Sequence, residues 1–428
     1  MSIIRDGLQS ADLDAPVTSP TLNLDFANSQ SLDPRITFTR GSIGTRVNRN
    51  GLIETIPANQ PRFDYDPVTG ECKGFLIEEQ RTNLLTYSED FSQGVWTKHN
   101  SSVNSNIITS PDNTSNATKL IENTSNAQHM VYRNLTSSVN TTYTFSFFAK
   151  SAERQYVLAS YSGGGLSGDC VVGVSLIDGS VTTTSNSPEN TSVTKLPNGW
   201  YRITLTKTTP SASAFQPRIL ISRTGSSSQA HQGDGTSGIY IWGAQLEAGA
   251  FPTSYIPTTA STVTRSADLA SMTGTNFSSW YNQTESTILC NFNAYNLMST
   301  VQRNVLQISG PEQSGVNRIQ LLLNGLGGGG TRQPIYHNLY QNGPNFADYF
   351  GFSYVTGLTK NIMRYKDLDT FVATSDGRIR RNTTSRAFTI PLTKTMTTLS
   401  FGGFNGAISK FAYYPKALND AEIQYLTQ

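Results

Sequence analysis

Charge is scarce in this sequence. Asp, Glu, Lys and Arg make up 14% of the 428 residues, against roughly a quarter in an average soluble protein. The 32 basic and 30 acidic side chains are interleaved and leave a net charge of +2. No basic run is present, which argues against nucleic acid or an anionic membrane as partner. Cysteine is nearly absent: Cys72, Cys170 and Cys290 are far apart, odd in number and without CxxC spacing. They read as small reduced core residues rather than a disulfide or zinc framework. The four histidines, His99, His129, His231 and His337, fall in polar stretches expected to be loops, none paired at a metal-ligand spacing. No apolar run approaches the roughly 18 residues that a membrane span needs. The opening MSIIRDGLQSADLDAP has no apolar core of a signal peptide, so the expected place of synthesis is a cytosol.

What is abundant is Ser, Thr, Asn, Gly and aromatics. At this length two to three domains are expected. Residues 1–20 contain Pro16 and Pro20 and read as an extended arm. Residues 21–85 form a small β-rich unit: Leu22, Leu24 and Phe26 alternate, and the Asn48–Gly51 turn joins two short strands as a hairpin. Residues 86–258 carry clear strands, among them Tyr143–Phe148, Val171–Leu176 and Gly238–Trp242, with turns at short intervals and no helical period. In the strand that follows Asn198-Gly199, Tyr201, Ile203 and Leu205 share one face and should point inward; Trp200, Arg202 and Thr204 share the other. Residues 259–428 add further strands and end in a short helix, Asp420–Leu426, with Asn419 as its N-cap. No heptad or fixed repeat occurs, so the chain has no coiled-coil stalk or β-helix shaft. The fold class expected is all-β, as tandem antiparallel β-sandwiches with a small N-terminal β unit.

Two ordered strings say more. The first is RFDYDPVTGECKGFLIEEQRTNLL over residues 62–85, with SEDFSQGVW at 88–96 just after it. The second is IYIWGAQLEAGAFPTSYIPT over 239–258, followed by VTRSAD at 263–268. Together they resemble segments that recur in tailed-bacteriophage virion proteins, chiefly tail fibres and related appendages. The order of Phe91, Trp96, the Tyr143–Phe147 strand, Asn198–Arg202 and Ile239–Trp242 resembles jelly-roll carbohydrate-binding modules. The stretch Leu399–Leu426 resembles the last strands and closing helix of a concanavalin/laminin-G-like sandwich. The resemblance implies a non-enzymatic structural component of a virion, a fibre or tail appendage contacting host surface glycan. It implies other virion proteins as partners, and a homotrimer with contacts from the N-terminal unit or the sandwich sides. Two alternatives stand beside it: an assembly or decoration protein of the particle without sugar affinity, and a polysaccharide depolymerase.

Hydrolysis of a glycan would need two carboxylates about 5–9.5 Å apart on one surface. Glu78 and Glu79 are adjacent and diverge; Asp64 and Asp66 run into a proline turn. The Gly325–Gly330 run lacks the lysine of a phosphate loop and reads as plain flexible backbone. No cofactor is expected beyond a structural calcium of the kind such sandwiches carry, for which Asp234, before Gly235, is one place. Sugar binding needs exposed aromatic faces. Tyr143, Phe145, Phe147, Tyr240 and Trp242 alternate within strands and read as core. The glycan-binding candidates are therefore those in turn-rich stretches: Tyr161 beside Gly163–Gly165, and Tyr336, Tyr340 and Tyr349. With so little charge, receptor contact should be weak, multivalent and insensitive to salt.

Overall fold

The computed structural model describes residues 18–227, 230–295, 303–310, 318–323, 334–340, 350–353, 358–366, 369–374, 380–381 and 395–427. The chain divides into two compact units, one drawn from Met1–Phe38, Lys73–Ile77 and Leu269–Gln428, the other from Thr39–Cys72 and Glu78–Asp268. Residues 21–85, expected as a unit of their own, are thus shared between the two. The Gly325–Gly330 run and most of the N-terminal arm lie outside the described residues. The main ladders of both units are antiparallel, as expected of an all-β chain. No described helix is long and apolar enough to cross a membrane.

The unit containing Glu78–Asp268 is a sandwich. One sheet runs in the order Asn190–Lys195, Tyr201–Thr209, Thr141–Ser151, Gly238–Ala248, Ala117–Glu122, Ser101–Ile108. The other runs Val181–Ser185, Cys170–Ser175, Tyr156–Gly163, Ala214–Ser222, Met130–Arg133, Trp96–His99. Side chains alternate across each strand, and the inward set from both sheets forms one core. Phe145, Phe147, Ile203, Leu205, Ile239 and Ile241 come from the first sheet; Val157, Ala159, Val172, Val174, Ile219 and Ile221 come from the second. Tyr201, Ile203 and Leu205 point inward as their alternation predicts. The outward set is not bare. Trp200, Phe148 and Trp242 form a second apolar layer with Leu196 and Tyr255. Against it lies Ile53, from the hairpin of Gly44–Val47 and Ile53–Ile56. That hairpin turns at Gly51, whose φ of 75° suits glycine.

The other unit also stacks two sheets. Glu285–Ala294 lies between Thr359–Lys366 and Gly406–Tyr414, and Leu22–Asp25 pairs with the latter. In the second sheet, Thr398–Phe401 lies between Leu269–Thr273 and Arg303–Ser309, which Arg318–Leu323 and Pro334–Tyr340 continue. Phe401 of one sheet meets Phe411 of the other edge-on at 5.5 Å, with Phe26 beside it at 6.2 Å. The helix Asp420–Thr427 starts on the expected cap, reciprocally: Asn419 Oδ1 accepts from the Glu422 N–H, and Glu422 Oε2 accepts from that of Asn419. Ile423 docks it on Leu289, Ile362 and Leu418.

Candidate functional site

The two strings that carry the resemblance meet in the fold. Asn83 is the joint: its amide donates to the carbonyls of Ala244 (3.2 Å) and Ile256 (2.9 Å), and its Oδ1 accepts from the Leu246 N–H. The strand Arg81–Asn83 then pairs with Val263–Arg265. Below this joint lies a buried cluster of charges. Arg62 reaches Asp268 at 2.5 Å and Glu78 at 2.8 Å, Arg40 reaches the other Asp268 oxygen at 3.1 Å, and Arg265 lies 3.5 Å from Glu78. Ser254 donates twice to Glu78, from its N–H and its hydroxyl. The Glu78 N–H donates to Asp268. Burial alone would raise the Glu78 carboxyl, but Arg265, Arg62 and the two Ser254 donors outweigh it and bring it down to about 2. Glu79 turns the other way and pairs with Arg81, whose guanidinium stacks over Phe251 at 4.6 Å.

This cluster makes stability depend on acid. Because the folded Glu78 pKa lies below its unfolded value of 4.5, its contribution is complete above that pH. The contribution is lost as pH falls toward 2. Its expected size is on the order of 3 kcal/mol. Urea unfolding between pH 7 and pH 2 should show a fall in the wild type that Glu78→Gln, less stable throughout, follows only in part. Parallel curves for the two would refute the assignment.

The expected site residues fare differently. Tyr161 is no ligand residue. It lies in Tyr156–Gly163 with no exposed surface, packed on Phe215, its hydroxyl 3.2 Å and 3.1 Å from the carbonyls of Tyr143 and Leu205. The strand runs on into Gly163 before the chain turns, so alternation sends Tyr161 inward with Val157 and Ala159. Tyr336 and Tyr340 are not in a turn-rich stretch either: their backbone belongs to the strand Pro334–Tyr340, opposite Leu322 and Arg318. Tyr349 lies outside the described residues. Asp234 closes an Asx turn, accepting from Thr236 and Ser237. Those donors, Ser237 first, hold its carboxyl below the usual carboxylate range. Arg154 shares Oδ2 with the Ser237 hydroxyl, at 3.2 Å. Among the described residues no group of three or more His, Cys, Asp or Glu side chains could hold a metal.

The histidines depart from expectation as well. His129 is fully buried, its ring nitrogens 2.7 Å and 3.1 Å from the carbonyl oxygens of Asn100 and His231. His231 lies in the strand Ala230–Gln232 and contacts the Glu122 carboxylate at 3.0 Å. Cys170 and Cys290 are buried free thiols, and Cys72 is a half-buried one.

A surface with the right chemistry for sugar lies on the outer face of the second sheet. Tyr132, Arg218, Ser160 and Val171 stand in register across four strands. Tyr132 is half-buried, seated on an apolar bed of Met130, Leu158, Val171 and Leu220. Beside it runs a chain of planar polar groups. Gln216 donates to Asn134 Oδ1 at 2.8 Å, and Gln216 Oε1 accepts from Arg218 Nη2 at 2.6 Å. Arg218 Nη1 donates to Asp169 at 3.0 Å. The arginine reaches over Ser160, whose buried hydroxyl has no hydrogen-bond partner among the described residues. One end of this face is covered: the Gly225 carbonyl comes down over Gly173, where a Cβ would meet it at 2.6 Å, and accepts from Thr182. The end with Tyr132 and Gln216 keeps these side chains accessible. Sequence reasoning did not single out Tyr132, because the strand Met130–Arg133 was not among those it recognised. The signal available was the sequence Tyr132-Arg-Asn134, which places planar polar side chains next to an aromatic.

No protein-family model matches the chain, and no curated protein matches it. Solved structures are similar over part of it. One is the CBM40 module of the Ruminococcus gnavus IT-sialidase bound to α2,3-sialyllactose, at TM-score 0.30 and 13% identity, covering 36% of this chain and 88% of that one. Another is the receptor-binding domain of botulinum neurotoxin C/D mosaic serotype, at TM-score 0.29 and 12% identity, covering 38% and 40%. A third is the binding domain of botulinum neurotoxin DC in complex with rat synaptotagmin II, at 0.29 and 14%, covering 38% and 40%. The chain spans about two fifths of the neurotoxin chains it matches.

Proposed function

We propose that the protein is a non-enzymatic structural component of a bacteriophage virion, a fibre or tail appendage that contacts host surface glycan. It is made in the host cytoplasm and assembles as a homotrimer with other virion proteins. The observation that carries the glycan reading is the half-buried Tyr132 ring beside the Asn134–Gln216–Arg218–Asp169 chain. An aromatic face supported from beneath, with fixed planar amides at its edge, is the chemistry that stacks on sugar C–H groups and bonds their hydroxyls. The virion assignment rests on the two strings and their resemblance. Their charged residues support a structural role, because Arg62, Glu78, Arg265 and Asp268 bond one another in the interior. A carboxyl held near 2, as Glu78 is, stays ionised and makes a poor general acid near neutral pH.

The test is binding of the purified full chain to host cells and to a glycan array. Weak, multivalent binding is expected, little changed as salt rises from about 50 to about 500 mM. Tyr132→Ala should reduce it by roughly tenfold with the domain still folded, and no reducing ends should be released. Release of reducing ends would make the protein a depolymerase. Silence on every glycan, with ordered density on the particle, would make it a decoration protein.

A further inference from the structure

We infer that the outer face takes an extended, uncharged glycan rather than a carboxylated or single sugar; this rests on the glycan-contacting reading of that face. The reason is how its arginine is held. Arg218 gives Nη1 to Asp169 at 3.0 Å and both Nε and Nη2 to Gln216 Oε1, at 3.1 and 2.6 Å. Three of its five N–H groups are engaged within the face, and the pair it forms with Asp169 is neutral. A ligand carboxylate would have to share this guanidinium with Asp169, two anions on one arginine that repel each other.

Neutral groups are left for a ligand. Asn134 is exposed, and its Nδ2 reaches Thr97 only at 3.5 Å, so its N–H groups remain available to an outside acceptor. Tyr132 offers an uncharged ring. The row also has length. From Thr97 to Asp169 it crosses five neighbouring strands, which at the usual strand spacing is about 19 Å. That platform is longer than one sugar ring and runs across the strands, so a chain laid along it would contact successive side chains.

The experiment titrates the full chain with malto-, cello- and laminari-oligosaccharides from monomer to hexamer, with sialyllactose and oligogalacturonate alongside, and repeats the comparison on a mixed glycan array. Affinity for the neutral chain that binds should rise at least about tenfold from monomer to tetramer, with no carboxylated glycan bound more tightly. Asp169→Asn should shift the preference toward carboxylated sugars, because it frees Arg218 from its counter-ion. Wild-type preference for carboxylated glycans, or affinity independent of length, overturns this inference and leaves the glycan reading standing. No binding to any glycan on the array overturns both.

Discussion

Asp268→Ala is expected to destabilise the Glu78-containing sandwich by roughly 3–5 kcal/mol, enough to leave many domains of ordinary stability largely unfolded. Asp268 has no exposed side-chain surface and answers Arg40 and Arg62 together, while its Oδ2 also accepts the Glu78 N–H. Removing it takes one carboxylate from two buried guanidinium groups, leaving Arg62 to Glu78 and Arg40 to neutral carbonyls, where desolvation already depresses Arg40. The cost therefore comes less from a lost attraction than from buried positive charge that is no longer balanced. Lys119→Ala is the control. It breaks the pair with Glu153, whose side chain is half exposed, and should cost no more than about 1 kcal/mol. Equilibrium urea unfolding compares the two; similar midpoints would mean that the buried cluster contributes no more than a surface pair.

Trp200→Ala should cost about 3–5 kcal/mol, although strand alternation places this residue on the face away from the main core. Trp200 is 1% exposed, packed with Phe148, Leu196, Trp242 and Tyr255, and its indole N–H donates to the Thr109 carbonyl at 3.1 Å. Truncation would empty a large volume in a layer that the Gly44–Ile56 hairpin closes from outside. A loss within about 0.5 kcal/mol, the range of an exposed substitution, would show that this second layer collapses freely around the gap.

These two residues mark where the sequence could be read and where it could not. Period-2 alternation located the strand Tyr201–Thr209 and its inward face, because a half-buried sheet forces that pattern. The Asn48–Gly51 and Asp66–Gly70 turns and the Asn419 cap were legible for the same local reason: each bonds its own neighbours. Trp200 was not, since what covers it comes from about 150 residues earlier in the chain. Tyr161 misled because glycines at 163–165 look like the start of a loop, yet the strand runs on into the first of them. His129 does link two strands, but its burial was not legible, because its partners, the carbonyls of Asn100 and His231, are supplied by distant segments. Tyr132 was passed over altogether, because its four-residue strand is too short to show an alternation, and that strand offers it to the outer face. The strings at 62–85 and 239–268 were legible as a pair, and their joining through Asn83 was not, because pairing partners are set by topology rather than by local pattern.

The pairing of Arg81–Asn83 with Val263–Arg265 has a consequence for how such a chain can change. The polypeptide passes into the sandwich at one strand and comes back out at the strand hydrogen-bonded to it. An insertion whose two ends are already neighbours behaves as a cassette: its interior can be exchanged, shortened or permuted while the flanking joint stays fixed. Within that span lie Tyr132, Asn134, Asp169, Gln216 and Arg218; Arg265 belongs to the joint itself, and Arg62 and Asp268 lie outside it in sequence. Recombination between related genes at the two strings would therefore replace the contact face whole and preserve the fittings around it.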